Sequence, residues 1–176
     1  FAQSRYPEFA LSFYNLIPSC SFCNSILKNE KETVLDKHIH PYMDTDAGFE
    51  FTYNFIGKDT DGKNLYGVDC NITAVGIKDK RRVKETLELF RIKEVYNAHA
   101  GLELKDLIDL ATANPGDYID ELVNHVLANT HLTKEDVFRI LFGVETLPNR
   151  YLNRPFSKFK MDIISKIHDI IINGKK

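Results

Sequence analysis

Two cysteines three positions apart, Cys20 and Cys23, constrain this chain more than any other feature. Such a pair is half of a tetrahedral zinc site, and structural Zn²⁺ takes four ligands. The 176 residues contain only one further cysteine, Cys70, so the chain supplies no second pair. Either two ligands lie outside these residues, or the pair is a redox couple or two unrelated thiols of a core. Two asparagines flank it, Asn15 before and Asn24 directly after. Taken singly, Asn15 reads as a turn residue and Asn24 as a polar residue at a helix start.

The chain opens on Phe1, with no initiator methionine, signal-like apolar stretch or tag, which leads us to expect further residues upstream. The run from Ser4 through Tyr6-Pro7 and Asn15-Leu16-Ile17-Pro18-Ser19 to Cys20, followed by Cys23-Asn24-Ser25 and Lys28, resembles the HNH endonuclease family with its ββα-metal, treble-clef finger. The resemblance implies a role for each matching residue. Asn15 would be the middle asparagine of the family name, bracing the loop that holds the catalytic histidine. Asn24 would stand in the third position, at the start of the finger helix, and help hold one Mg²⁺ or similar divalent cation. This chain has Asn there where the family name has His. Cys20 and Cys23 would be ligands of a structural zinc completed by an upstream Cys-x-x-Cys. Lys28, one helical turn after Asn24, and Arg5 would contact nucleic acid. The catalytic histidine and its acidic neighbour are expected upstream of residue 1.

Those residue types suit phosphodiester hydrolysis, which needs a base to activate water and a cation to stabilise charge on the phosphorane and leaving oxygen. The chain as written holds the brace, one metal ligand and half the zinc clip, so it should not cut nucleic acid by this route alone. His38-Ile39-His40-Pro41-Tyr42 offers two histidines on one side of an extended segment. That spacing serves a metal, and equally suits a half-buried strand end before a proline. We read the segment as packing the chain back beside the finger.

Charge limits how such a protein holds its substrate. The formal net charge is −2, whereas a protein gripping a duplex unaided carries a basic excess, because counterion release supplies most nonspecific affinity. Two local basic clusters exist, Lys78-Lys80-Arg81-Arg82 and Arg150-Arg154-Lys158-Lys160, each readable as a solvated helix end. A partner that helps hold the substrate is therefore expected. With 43% hydrophobic and 27% charged residues the chain can bury a core, and no run approaches the roughly 20 apolar residues that cross a bilayer. Three cysteines make no disulfide framework, and a reducing cytoplasm fits zinc thiolates.

Past the finger the periodicity changes twice. Phe49, Phe51, Tyr53 and Phe55 alternate with polar residues, and Leu65 to Ile77 gives a second strand-like run, with Asp61-Gly62 turning between them. Cys70 should pack within this pair. From Asp79 the spacing of Val83, Leu87 and Phe90 predicts one long helix toward His99, followed by Leu102 to Leu110. Asn114-Pro115-Gly116 breaks the run, and Tyr118, Leu122 and Val126 should line the next helix. Thr133 with Asp136 predicts a capped helix over Val137 to Phe142. Ser157 should cap a last helix faced by Phe159, Ile163, Ile167, Ile170 and Ile171. The expected fold is α+β, with the finger over 1–45, a β-hairpin extension over 46–78 and a helical region over 79–176.

That helical tail either completes the core or forms a docking surface. Leu89-Phe90-Arg91 to His99, and Asn153-Arg154-Pro155-Phe156-Ser157-Lys158-Phe159 with Asp162, resemble tails of bacterial HNH proteins of the Septu and retron-associated anti-phage defence type. This resemblance implies a partner ATPase of the ABC or structural-maintenance kind that gates cleavage. The sequence thus points to a metal-dependent endonuclease subunit acting on nucleic acid, with DNA the expected substrate and RNA sharing the same site. The rival is a noncatalytic zinc-finger adaptor that binds nucleic acid or protein.

Overall fold

The computed structural model describes residues 7–9, 11–13, 16–17, 19–44, 47–114 and 116–174. Arg5 and Asn15 lie outside them, as does Pro115. The chain is mixed α and β: a two-stranded sheet and several helices. It divides into two compact units, Phe1–Glu50 with Asn71–Val95, and Phe51–Cys70 with Tyr96–Lys176.

The strands β1 (Phe49–Lys58) and β2 (Asn64–Ile72) form the expected hairpin. Its turn is organised by Asp59, whose carboxylate accepts from the N–H groups of Asp61 and Lys63 at 2.9 and 2.8 Å. The alternation of β1 holds at its start, where Phe49 and Phe51 are buried, and fades toward the turn, where Phe55 is exposed. β2 ends at Ile72, and Ile77 begins a helix instead of extending the strand.

In the first unit, α1 (Ile77–Leu89) buries Val83 and Thr86. Gly48, just before β1, has φ +67°, and a Cβ there would lie 2.8 Å from Val83 Cγ2, so glycine is required twice over. Only Phe49 and Val83 among the described apolar side chains of this unit are fully buried. The helix expected to run to His99 stops at Leu89: Arg91 is left-handed at φ 45°, and α2 (Ile92–Ala113) starts directly after it. Arginine is no helix breaker, so periodicity could not mark the break.

The second unit holds most of the core. α2 buries Leu104, Leu107, Ile108 and Ala111, one face of a helical repeat. α5 (Ser157–Gly174) buries Phe159, Ile163, Ile164 and Ile167; the side chains of Ile170 and Ile171 lie outside the described residues. Phe159 meets Phe51 edge-on at 5.3 Å and Tyr96 at 5.2 Å, which joins hairpin, α2 and α5. Two polar clamps fix the strands. Asn97 on α2 accepts from the Val68 N–H and donates to the Val68 carbonyl, both at 2.8 Å, so its amide continues the ladder at the edge of β2. Asp162 accepts from the Phe51 N–H and from Lys158, both at 2.9 Å.

Two helical expectations need correction. In α3 (Gly116–Glu121) and the wide-turned segment Leu122–Val126, Ile119 is the buried residue, while Tyr118 and Val126 are exposed. The i, i+4 stripe of Tyr118, Leu122 and Val126 is not the face that meets the core. Ile119, one residue after Tyr118, already fills that place in α3, and the wider turns that follow do not continue the 3.6-residue period. Ser157 is not the cap of α5: its buried hydroxyl accepts from the Glu145 N–H and donates to the Arg154 carbonyl, both at 3.1 Å. α4 (Lys134–Phe142) carries the expected capping box, with Thr133 and Asp136 bonded reciprocally, and ends on left-handed Gly143.

His168 on α5 yields a pH prediction. Burial pushes its pKa down, against hydrogen bonds to the Asn114 and Ala111 backbone, and its Nε2 lies 3.2 Å from the Asn114 carbonyl. The unfolded chain therefore takes up the proton first, near the ordinary value of about 6.5. Above that pH His168 gives no pH dependence; as pH falls through it toward the folded value, stability is lost. Urea titrations at pH 7 and pH 5 should show this decline, and His168→Gln should flatten it. An equal slope in the variant would exclude His168 as its source.

Candidate metal and nucleic-acid site

The candidate site is built at the start of a seven-residue helix, Phe22–Lys28, whose turns are wider than α-helical: the Asn29 N–H reaches back to the Asn24 carbonyl at 3.0 Å. Asn29, at φ 46°, ends it. The turn into this helix places the two cysteines. The Asn24 N–H donates to the Cys20 carbonyl at 3.0 Å, and the Cys23 N–H donates to Cys20 Sγ at 3.4 Å. Cys20 is exposed and Cys23 half-buried, and neither is in a disulfide.

This geometry separates the two thiols chemically. The backbone N–H of Cys23, then its thiol, lower the pKa of Cys20. Burial raises that of Cys23, with the hydrogen bond and charge of Cys20 adding to it. The first proton therefore leaves Cys20, and its thiolate is held by a backbone donor. Two thiols on one turn, one of them N–H-bonded, are compatible with one edge of a tetrahedral thiolate site, since a bound cation would offset the burial and charge that hold the Cys23 pKa up. Among the described residues no group of three or more His, Cys, Asp or Glu is placed to hold a metal. The described residues bring together these two thiols and no third ligand.

Asn24 lies in the first turn, exposed, and Lys28 follows at the other end of the same short helix, half-buried. Both are carried by the helix that the cysteines start. The histidines of the 38–42 segment are differently engaged. His38 Nδ1 accepts from the Val34 N–H and His40 Nδ1 from the Tyr42 N–H, both at 3.3 Å. Both Nδ1 atoms are thus engaged by backbone N–H groups of their own segment. The reading of this segment as packing is supported by Tyr42, whose hydroxyl donates to the Leu16 carbonyl at 3.3 Å.

No local pattern announces what holds that segment. Arg82 on α1 makes a two-pronged contact with Asp44, at 3.2 and 2.9 Å, and donates to the His38 carbonyl at 3.0 Å. Thr86 accepts from the Ile39 N–H at 3.0 Å. Burial opposes ionisation of Asp44, but the His40 N–H and Arg82 outweigh it and hold its carboxyl below the ordinary range. Partners 38 residues apart in sequence leave no local pattern.

In the two basic clusters, Lys78, Arg81, Arg82, Arg154 and Lys158 pair with carboxylates. Lys78 pairs with Asp36, Arg81 with Glu85, Arg82 with Asp44 and Asp79. Arg154 pairs with Glu145, Lys158 with Asp162, and Lys160 reaches the Phe142 carbonyl. Neither cluster presents the row of free cations that tracks a phosphate backbone. Cys70, half-buried on β2, lies in the strand pair as expected.

Comparison with known proteins adds one relative. Protein ea31 of Escherichia phage lambda is 33% identical over 109 residues, which cover 60% of this chain and 36% of that protein. The chain thus spans about a third of the length of the relative it matches. No protein-family model and no solved structure matches the chain. Among the described residues no helix is long and apolar enough to cross a membrane.

Proposed function

We propose that this chain is part of a metal-dependent HNH endonuclease, with Cys20 and Cys23 as half of a structural zinc clip and Asn24 as a ligand of a catalytic Mg²⁺ or similar cation. The observation that carries the reading is the paired thiols at the mouth of the Phe22–Lys28 helix, with the Cys23 N–H on Cys20 Sγ and Asn24 in the first turn. The thin core of the first unit supports it. Among its described apolar side chains only Phe49 and Val83 are fully buried, and a zinc clip is a source of folding free energy that needs no large core.

When bound, the zinc would fix the loop and helix, and the second cation would polarise a phosphodiester. This chain's own residues then do the positioning: Asn24 faces solvent at the helix start, and Lys28, with Arg5, supplies charge for the phosphate. The reading assigns Asn15 the bracing of a histidine loop, and requires that histidine, its acidic neighbour and a second cysteine pair from outside these residues. The pairing of basic residues with carboxylates fits a subunit that relies on a partner to hold DNA, and an ABC or structural-maintenance ATPase in anti-phage defence, in the cytoplasm, is the partner proposed.

In the complete polypeptide, with that ATPase and Mg²⁺, supercoiled DNA should be nicked, and Asn24→Ala should lower nicking at least about a hundredfold while leaving the fold intact, as loss of a transition-state charge stabiliser does. Normal cleavage by Asn24→Ala would remove Asn24 from the site. Full zinc content with no cleavage under any cation would favour the adaptor.

A further inference from the structure

The first unit contains a chain of contacts that runs from α1 to the backbone just ahead of the cysteine pair. Arg82 is its anchor. Its guanidinium grips both oxygens of Asp44 and the His38 carbonyl, and its Nη1 also reaches Asp79 at 3.5 Å, while its buried Nε has no partner. Asp44 in turn accepts from the His40 N–H, which closes the 40–44 turn on itself. Thr86, one helical turn after Arg82, receives the Ile39 N–H and donates to the Arg82 carbonyl at 2.8 Å. Residues 38–44 are thus fixed to one face of α1 at three points.

The free end of that turn is Tyr42, whose hydroxyl meets the Leu16 carbonyl, four residues before Cys20. A guanidinium with one donor left unbonded in a buried place is a poor choice for stability alone, since an unmade bond there is costly. Its geometry suits another task, holding a tyrosine at a set height against a second loop.

We infer that Arg82, Asp44 and Tyr42 form a strut that presets the loop carrying Cys20, so that Arg82 and Tyr42 are positioning residues for the metal clip. The inference rests on the zinc reading of Cys20 and Cys23. The strut lowers the cost of assembling the site by fixing the Leu16 carbonyl, four residues before the first cysteine, and its loss should show in metal retention before it shows in folding.

The test uses the complete polypeptide loaded with zinc, or with cobalt as a spectroscopic substitute. Tyr42→Phe deletes only the hydroxyl, and Asp44→Asn weakens the grip of Arg82. Both should still bind one metal per chain, yet release it to a chelator about tenfold faster than the parent, with altered cobalt d–d bands and unchanged helix content. Lys78→Ala, which breaks the exposed pair with Asp36 on the same helix, should release metal at the parental rate. Parental release and spectra in Tyr42→Phe would overturn the strut while leaving the zinc reading standing. A parent that binds no metal would overturn both.

Discussion

Replacing Cys20 and Cys23 together by serine in the complete polypeptide should take bound zinc from about one per chain to none, and should unfold the first unit while the second stays folded. The asymmetry comes from where the core lies. The first unit fully buries only Phe49 and Val83 among its described apolar side chains, whereas the second buries three faces of α2, α4 and α5. Structural zinc contributes on the order of 10 kcal/mol in small metal-dependent units, more than any set of contacts seen around the cysteine pair. Metal analysis, combined with hydrogen exchange, separates the two units. Amides of α1 should lose protection in the double mutant, and those of α2 from Leu104 to Ala111 should keep it. Unchanged zinc content would end the clip, and with it the nuclease reading. Zinc loss with full protection of α1 would keep the two cysteines as zinc ligands and deny the metal a structural role.

Phe159→Ala should cost the second unit about 3–5 kcal/mol. Its ring is 2% exposed and stands where three elements meet: Phe51 of β1 touches it edge-on and Tyr96 of α2 lies tilted against it. Tyr96 also packs on Phe51 at 4.5 Å and on Phe156 at 5.8 Å, so removing one ring leaves a cavity bounded by side chains already held by other partners. Little collapse is available to fill it, which places the cost toward the upper end for such a truncation. Phe159→Leu should recover most of the loss. Urea unfolding followed by helix signal reads both variants, as a lower midpoint at unchanged slope. A cost below about 1 kcal/mol would show that the three-ring contact does not hold hairpin to helices.

How far the sequence carries can be judged residue by residue. The capping box at Thr133 and Asp136 was legible because both its bonds join residues three apart. The hairpin was legible for a similar reason, as alternation around an Asp-Gly turn. Ser157 shows the opposite case: its type and place matched a cap, but a neighbouring segment, through the Glu145 N–H, competed for the hydroxyl and won. The break at Arg91 left no mark at all. At the candidate site, Cys20, Cys23 and Asn24 meet on one turn through the Cys23 and Asn24 N–H groups, while Asn15 and Arg5 fall outside the described residues.

What the chain's sequence determined by itself is a set of features patterned or bonded locally: the hairpin around Asp61-Gly62, the apolar face of α5 and the Thr133–Asp136 cap. Tertiary structure alone decided which polar groups meet across long stretches of chain, as Arg82 meets Asp44, Asn97 meets Val68 and Asp162 meets Phe51. The physical reason is that local hydrogen bonds are chosen among a few near neighbours, whereas a buried donor takes whichever acceptor the packed core brings within 3 Å, and that choice is made by the apolar side chains around it.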